Sequence, residues 1–489
     1  MQAIKLRAVF IFVLLMISGI NTQTTAAQTA DAVSHVVQPG DTWAALAWRY
    51  GLDAASLQQT YGHMNRQRQP TIGSTLLLPN TGIDRTGEII RPLASVLKTA
   101  VSHNLSPWSI IQGNNLQSPY QPLLYRLIFI PNENQAVREY PIGFAQLELS
   151  QIPAKPGEAI ALRGIVESAQ QVTSSLNQAA LDVFQNGRFL IGITGTGAFY
   201  GSGEPELTIR TGNNPLWVQP WRFVDHEWNF QQITLTGSAA EIDQASRDAE
   251  RKRLMVIWQQ ASTTPQWRTP FANPVDSYLE ITSSFGARRS YNGGPYSTYH
   301  EGVDYAAYGG TPVLAPAAGT VVIAETLYVR GGAVIIDHGL GIYTGYYHMS
   351  NVTATPGQQV EQGQLLGEVG TTGFSTGNHL HWDLLVNGIW VDASAWQAQN
   401  MGCWILAGLG ESCVTFRDHG HGKATPVLSL PTPDNGRFPH PPSSTPTKAP
   451  QTKTISFSVD CFLLDTAVFP SHQHRQQKPR TQHGRFPIR

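Results

Sequence analysis

Residues able to hold one metal ion stand out in the second half of this 489-residue chain: His300 and Asp304 within Tyr299-His-Glu-Gly-Val-Asp-Tyr305, and a His-x-His at His379-Leu-His381. The stretch from His379 to Val386 is apolar and β-branched toward its end and reads as a strand, in which residues i and i+2 project from one face. Both imidazoles therefore point the same way. Gly302 disfavours a regular helix around His300, so His300 and Asp304 are expected on an extended or looping segment that curls around an ion. Asp304 stands where the helical His-Glu-x-x-His motif would need its second histidine, which excludes that reading. Two nitrogens and a carboxylate oxygen suit Zn²⁺, and three protein ligands leave the fourth tetrahedral position for water. A site of that kind is hydrolytic, because Zn²⁺ lowers the pKa of water and polarises a carbonyl.

Further segments fall in a fixed order around these residues: Ile281-Thr-Ser-Ser-Phe-Gly-Ala-Arg-Arg289, Gly310-Thr-Pro-Val-Leu-Ala-Pro-Ala-Ala-Gly319, Val334-Ile-Ile-Asp-His-Gly339, Tyr347-His-Met-Ser350, Gly357-Gln-Gln-Val-Glu-Gln-Gly363 and Gly370-Thr-Thr-Gly-Phe-Ser-Thr-Gly-Asn-His-Leu-His381. In that order the region from Pro274 to Trp396 resembles the catalytic domain of the lysostaphin-type (LytM-like) zinc endopeptidases, which cut peptide bonds in bacterial peptidoglycan. The resemblance implies an antiparallel β-sheet domain in which His300, Asp304 and His381 ligate Zn²⁺ while His348 and His379 are catalytic beside it. A histidine near a metal but not bound to it can take a proton from water or donate to a developing oxyanion. Tyr347 could lend a hydroxyl. Asp383, on the same strand face as His381, could orient an imidazole from behind the ligands.

Other features read as structural. His338 before Gly339 shapes a strand end, and the glycines from Gly367 to Gly377 form β-turns, since no Lys-Ser/Thr follows as a phosphate loop would require.

Length and composition set the frame. With 45 glycines, 32 prolines and 41% hydrophobic residues, the chain reads as several small turn-rich β domains joined by linkers. A formal net charge of −1 gives no reason to expect nucleic acid as a partner. Lys5 and Arg7 precede an apolar run from Ala8 to Ile20 and a small-residue stretch through Ala26-Ala27, so residues 1–27 read as a signal peptide. The expected location is secreted, cell-wall or periplasmic, with no transmembrane segment after its removal. Of three cysteines, Cys403 and Cys413 are close enough to pair and leave Cys461 single.

Upstream, residues 35–79 carry His-Val-Val-Gln-Pro-Gly-Asp-Thr-Trp43, two short helical patterns and Gly73-Ser-Thr-Leu-Leu-Leu-Pro79, a βααβ order that resembles the glycan-binding LysM module. That resemblance implies Gly40, Asp41 and Thr42 as glycan-binding residues. Leu52, Leu57 and Leu78-Pro79 recur as Leu105, Ile110 and Ile130-Pro131 at offsets of 52 to 53, so residues 87–132 read as a degenerate second copy. Residues 140–238 alternate apolar and polar with a hairpin signal at Asn186-Gly187, which predicts a β-sandwich-like spacer. Residues 240–262 read as a helical linker, with Asp243/Arg247 and Asp248/Lys252 at ion-pair spacing and a solvated Arg251-Lys-Arg253 cluster. From Thr415 the composition predicts a disordered tail, its histidines included.

The expectation is thus a mostly β, multidomain, exported zinc endopeptidase of peptidoglycan, in the domain 274–396, tethered by LysM. The alternative is a non-enzymatic regulator of cell-wall amidases, against which the complete ligand set argues. A purely structural zinc would call for four protein ligands.

Overall fold

The computed structural model describes residues 32–417 and 425–429, apart from 63–67, 93, 125, 169, 261 and 399. The signal-peptide reading, Cys461 and the tail histidines lie outside the described residues. Among the described residues no helix is long and apolar enough to cross a membrane.

The first module is built as its pattern suggests. Strands Ala32–Val36 and Thr75–Pro79 pair antiparallel, and helices Trp43–Tyr50 and Ala54–Tyr61 lie between them in sequence. Thr42 and Asp53 cap the two helices by accepting from backbone N–H groups of Ala45 and Ser56. Val37, Leu46, Leu57 and Leu78 make its small core. Strand Thr86–Ile90, helices Val96–Ser102 and Pro107–Asn114 and strand Ile128–Ala136 repeat the same order, with a separate core of Val96, Ala100, Ile110 and Ile130.

Seven strands between Phe144 and Pro220 then form one sheet that curls around Leu147, Ile160, Leu162, Leu190, Leu207 and Trp221. The hairpin turns at Asn186-Gly187, with Gly187 at φ 59°. Its Ala159–Val166 and Phe189–Gly195 strands are covered on both faces. Ile160, Leu162 and Leu190 point into this core, whereas Ala159, Ala161, Ile191 and Ile193 join the core of the following domain. Strand alternation thus divides one pair of strands between two cores.

The C-terminal domain is an eight-stranded, antiparallel sheet. Along it, Glu280–Ser283 pairs with Gly302–Ala306, which pairs with His379–Val386, then Ile342–Met349, Gly331–Gly339 and Gly319–Leu327.

Three regions differ from expectation. The segment Phe230–Ile233, read as part of the spacer, pairs in parallel with Arg288–Tyr291, and its Gln231 accepts from Ser283 and Arg289. The linker helix, Gln244–Trp258, buries Leu254 and Trp258 in the C-terminal domain's core, while its Arg251-Lys-Arg253 cluster stays exposed as expected, with Arg251 paired to Glu301 and Arg253 to Glu325 at 2.6 Å. Asp243 caps this helix, and Asp248 accepts from Gln244. Past residue 396, helix Met401–Gly408 packs on the same core, Cys403 and Cys413 are disulfide-bonded, and Cys413–Arg417 pairs with Thr425–Ser429 where a disordered tail was expected to begin.

Candidate metal centre and cleft

Register assembles the centre. Asp304 lies opposite His381, and His381 opposite Tyr347, so three adjacent strands carry these residues in one row. His379 sits two residues along, opposite Ala306, on the same face as His381. His300 precedes the Gly302–Ala306 strand and is tied down by its backbone, donating to Ala287 O and accepting from Gly286 N. A Cβ at Gly302 would lie 2.3 Å from Trp382 O, so only glycine lets the strands of Asp304 and His381 approach this closely.

The three donor atoms converge. His300 Nε2 lies 2.9 Å from His381 Nδ1 and 2.9 Å from Asp304 Oδ1, and His381 Nδ1 lies 2.9 Å from the same oxygen. His300 Nδ1 is 3.0 Å from Ser284 O, which can only accept, so the proton sits on Nδ1 and Nε2 faces the cluster bare. The other carboxylate oxygen, Asp304 Oδ2, accepts from Arg289 Nη2 at 3.0 Å. Ser283 Oγ, facing His300 Nδ1 at 2.8 Å, and Gln231 of the Phe230–Ile233 strand complete this support. Sequence reasoning missed Arg289, Ser283 and Gln231. Arg289 stood in a quoted motif, whereas nothing in the sequence marks Gln231.

Burial pushes the His300 imidazole down to about 3. Burial opposes ionisation of Asp304, but its contacts with His300 and His381 outweigh it and hold the carboxyl well below its ordinary range. A neutral imidazole with its lone pair inward and an ionised carboxylate is the state in which these groups bind a divalent metal. The donor set fits.

His348 reaches the centre by a departure from strand geometry. As the neighbour of Tyr347 it would face the opposite side of a regular strand, but its φ of 65° turns the ring back to 4.8 Å from His379 and 6.1 Å from His381, centroid to centroid. Its backbone N–H donates to Arg330 O, and its Nδ1 donates to Thr372 O at 2.8 Å, which leaves Nε2 free to accept. His379 is arranged alike: Nδ1 donates to Gly377 O at 2.8 Å, and Nε2 stands 3.8 Å from Asp304 Oδ1.

Two expectations change. Asp383 is fully buried, but it accepts from Trp390 Nε1 at 2.8 Å and from the Tyr347 hydroxyl at 3.4 Å instead of orienting an imidazole. The Tyr347 hydroxyl thus donates to Asp383, while its ring lies 5.6 Å from that of His381, centroid to centroid. His338, as expected, has no place there: it lies at a strand end, with Nδ1 donating to Ala318 O and Nε2 accepting from Thr344 Oγ1.

The site opens into a cleft of about 750 Å³, lined by His300, His348 and His381 and by Gln244, Arg247 and Arg251 of the helix.

Residues 298–393 match the profile of Peptidase family M23, and residues 35–79 match that of the LysM domain. The chain carries an M23 peptidase domain. Over 120 residues it is 40% identical to the peptidoglycan DD-endopeptidase ShyA of Vibrio cholerae, a match covering 24% of this chain and 28% of that one. Over 114 residues it is 40% identical to the DD-carboxypeptidase/endopeptidase Mpg of Neisseria meningitidis, covering 23% and 25% of the two chains. The chain thus spans about a quarter of the length of these relatives. A crystal structure of a putative M23 peptidase from Pseudomonas aeruginosa aligns with a TM-score of 0.38 and 24% identity over 50% of this chain and 94% of that one. M23 peptidases are metallopeptidases, and His300, Asp304 and His381 are the group of described residues in this M23 domain that could hold the ion.

In the LysM module, Gly40, Asp41 and Thr42 are all buried. Gln219, from the seven-stranded sheet, accepts from Gly40 N and donates to both Asp41 O and Pro70 O, while Asp41 pairs with His35 at 2.7 Å and Thr42 donates to Glu139. These residues dock the module on its neighbours; they do not form an open surface.

Proposed function

We propose that the chain is an exported, zinc-dependent endopeptidase that hydrolyses peptide bonds in bacterial peptidoglycan, with the LysM module holding it near the glycan. The observation that carries this reading is the convergence of His300 Nε2, Asp304 Oδ1 and His381 Nδ1 beside two further imidazoles. The curated relatives, named as peptidoglycan endopeptidases, support the substrate class.

Zinc held by His300, Asp304 and His381 would supply a Lewis acid for the scissile carbonyl and lower the pKa of the attacking water. His348 and His379 each have Nδ1 committed to a carbonyl and Nε2 turned toward the centre. Between them they perform the two proton tasks of peptide hydrolysis, accepting from water and donating to the leaving amine. Arg289 keeps the Asp304 carboxylate oriented and ionised. Because Gly40, Asp41 and Thr42 are covered, glycan contact falls to other residues of the module.

The test is release of new peptide ends from purified peptidoglycan by the zinc-supplied protein, read by mass spectrometry beside the His381→Ala variant. Ends that depend on His381 support the enzyme and identify its bond. No cleavage by a zinc-loaded chain overturns the reading in favour of an amidase regulator.

A further inference from the structure

Four arginines line the cleft, and three are neutralised: Arg289 by Asp304 at 3.0 Å, Arg330 by Glu250 at 3.1 Å, and Arg251 by Glu301. Arg247 differs. Its Nη2 donates to the neutral Gln244 Oε1 at 2.8 Å, and its Nη1 is shielded from solvent with no acceptor among the described residues. The guanidinium is nonetheless held in place, 5.3 Å from the ring centre of Phe374 and 5.8 Å from that of Tyr291. Phe374 belongs to the loop that leads directly into the strand of His379 and His381, so this cation stands in the same cleft as the centre and is tied to the loop that feeds it.

We propose that Arg247 is a specificity-determining residue that binds a free carboxylate of the peptide substrate. The proposal rests on the hydrolase reading and names the chemistry of its substrate. Aromatic packing restricts the guanidinium before a ligand arrives without supplying a counter-charge, so little side-chain freedom is lost when a carboxylate bonds to it. A planar fork of N–H donors matches a carboxylate in a way that an ammonium does not. A cross-link made through the second amine of a diamino diacid keeps a free carboxylate on the carbon that bears the scissile amide. Such a group would give the partly shielded cation the direct hydrogen-bonded partner that Asp243, whose charge acts on it only from beyond ion-pair distance, does not supply. A neutral carboxamide at the same position could accept one hydrogen bond but would bring no counter-charge.

The experiment uses the zinc-loaded full chain and two synthetic branched peptides that are identical except that one bears a carboxylate beside the scissile bond and the other a carboxamide. In the wild type, kcat/KM for the carboxylate peptide should exceed that for the carboxamide by about tenfold or more, the value of a charge-assisted hydrogen bond. Arg247→Ala should bring that ratio close to one, with Arg247→Lys between. A wild-type ratio of one, or a ratio retained in Arg247→Ala, overturns the proposal. So does a rise in turnover of both peptides, which would make Arg247 a strap across the cleft. Equilibrium binding of both peptides, measured by calorimetry, separates the two readings. Carboxylate-selective binding lost in Arg247→Ala without hydrolysis by any form would sink the enzyme and keep this subsite, whereas binding indifferent to the carboxylate would sink the subsite alone.

Discussion

Glu250 and Arg330 form a buried ion pair at 3.1 Å, and the same Glu250 carboxylate accepts from the backbone N–H groups of Val329 and Arg330. The carbonyl of Arg330 in turn accepts from the backbone N–H of His348. A helix outside the segment that matches the peptidase family thus fixes the turn that holds His348 in its left-handed conformation. That conformation costs on the order of 1–3 kcal/mol for a residue with a side chain, and it persists only where the surroundings enforce it.

Glu250→Gln replaces one acceptor with a donor facing backbone N–H groups and should destabilise the chain by about 3 kcal/mol, as does removal of one partner of a buried pair. Displacement of His348 should lower kcat by about a hundredfold. Metal content should stay at the wild-type level. Urea unfolding, kinetics on a peptidoglycan peptide and elemental analysis read the three quantities, and loss of metal together with activity would refute the link through His348.

The proposed metal ligands and the two histidines proposed to handle protons should separate in a metal assay. His300→Ala, Asp304→Ala and His381→Ala each remove one of three converging donors and should abolish stoichiometric zinc. His348→Ala and His379→Ala should retain zinc and lose hydrolysis. A His381→Ala protein with full metal would refute the ligand set, and unchanged turnover in His379→Ala would remove its role.

Arg289→Ala leaves Asp304 Oδ2 without its partner at 3.0 Å and strips a donor from Ser283 Oγ. Zinc affinity should fall about 10- to 100-fold, the usual cost of losing a group that orients a ligand. Competition with a chromogenic chelator measures it; affinity equal to wild type would leave Arg289 with a purely structural role.

His338 should make part of the chain's stability depend on pH. Burial pushes its imidazole down from 6.5 to about 4, and its Nε2 must stay unprotonated to accept from Thr344. Below 6.5 the unfolded chain takes up a proton that the folded chain refuses, so stability present above that pH is lost as pH falls toward 4. The full loss is about 3 kcal/mol. Urea midpoints of the metal-free wild type and His338→Gln, compared between pH 7.5 and pH 4.5, should show a shallower decline in the variant. Parallel declines would contradict this account.

The sequence by itself determined what local rules can reach. The period of a strand places His379 and His381 on one face, Asn186-Gly187 turns a hairpin, and Thr42 and Asp53 start helices, because each depends on neighbours a few residues away. Cys403 and Cys413, ten positions apart, are near in space for the same reason. Only the tertiary structure decided the rest. Asp304 meets His381 through the register of strands some eighty residues apart, and His348 enters the site because Arg330 and Thr372 hold a backbone turn that breaks strand alternation. The helix read as an exposed linker became a wall of the cleft once Leu254 and Trp258 were buried. Gly40, Asp41 and Thr42 turned inward once Gln219 engaged their loop. Periodicity records which face of an element is apolar; which partner covers that face, and which polar group is consumed in the contact, is settled by non-local packing that no short window of sequence contains.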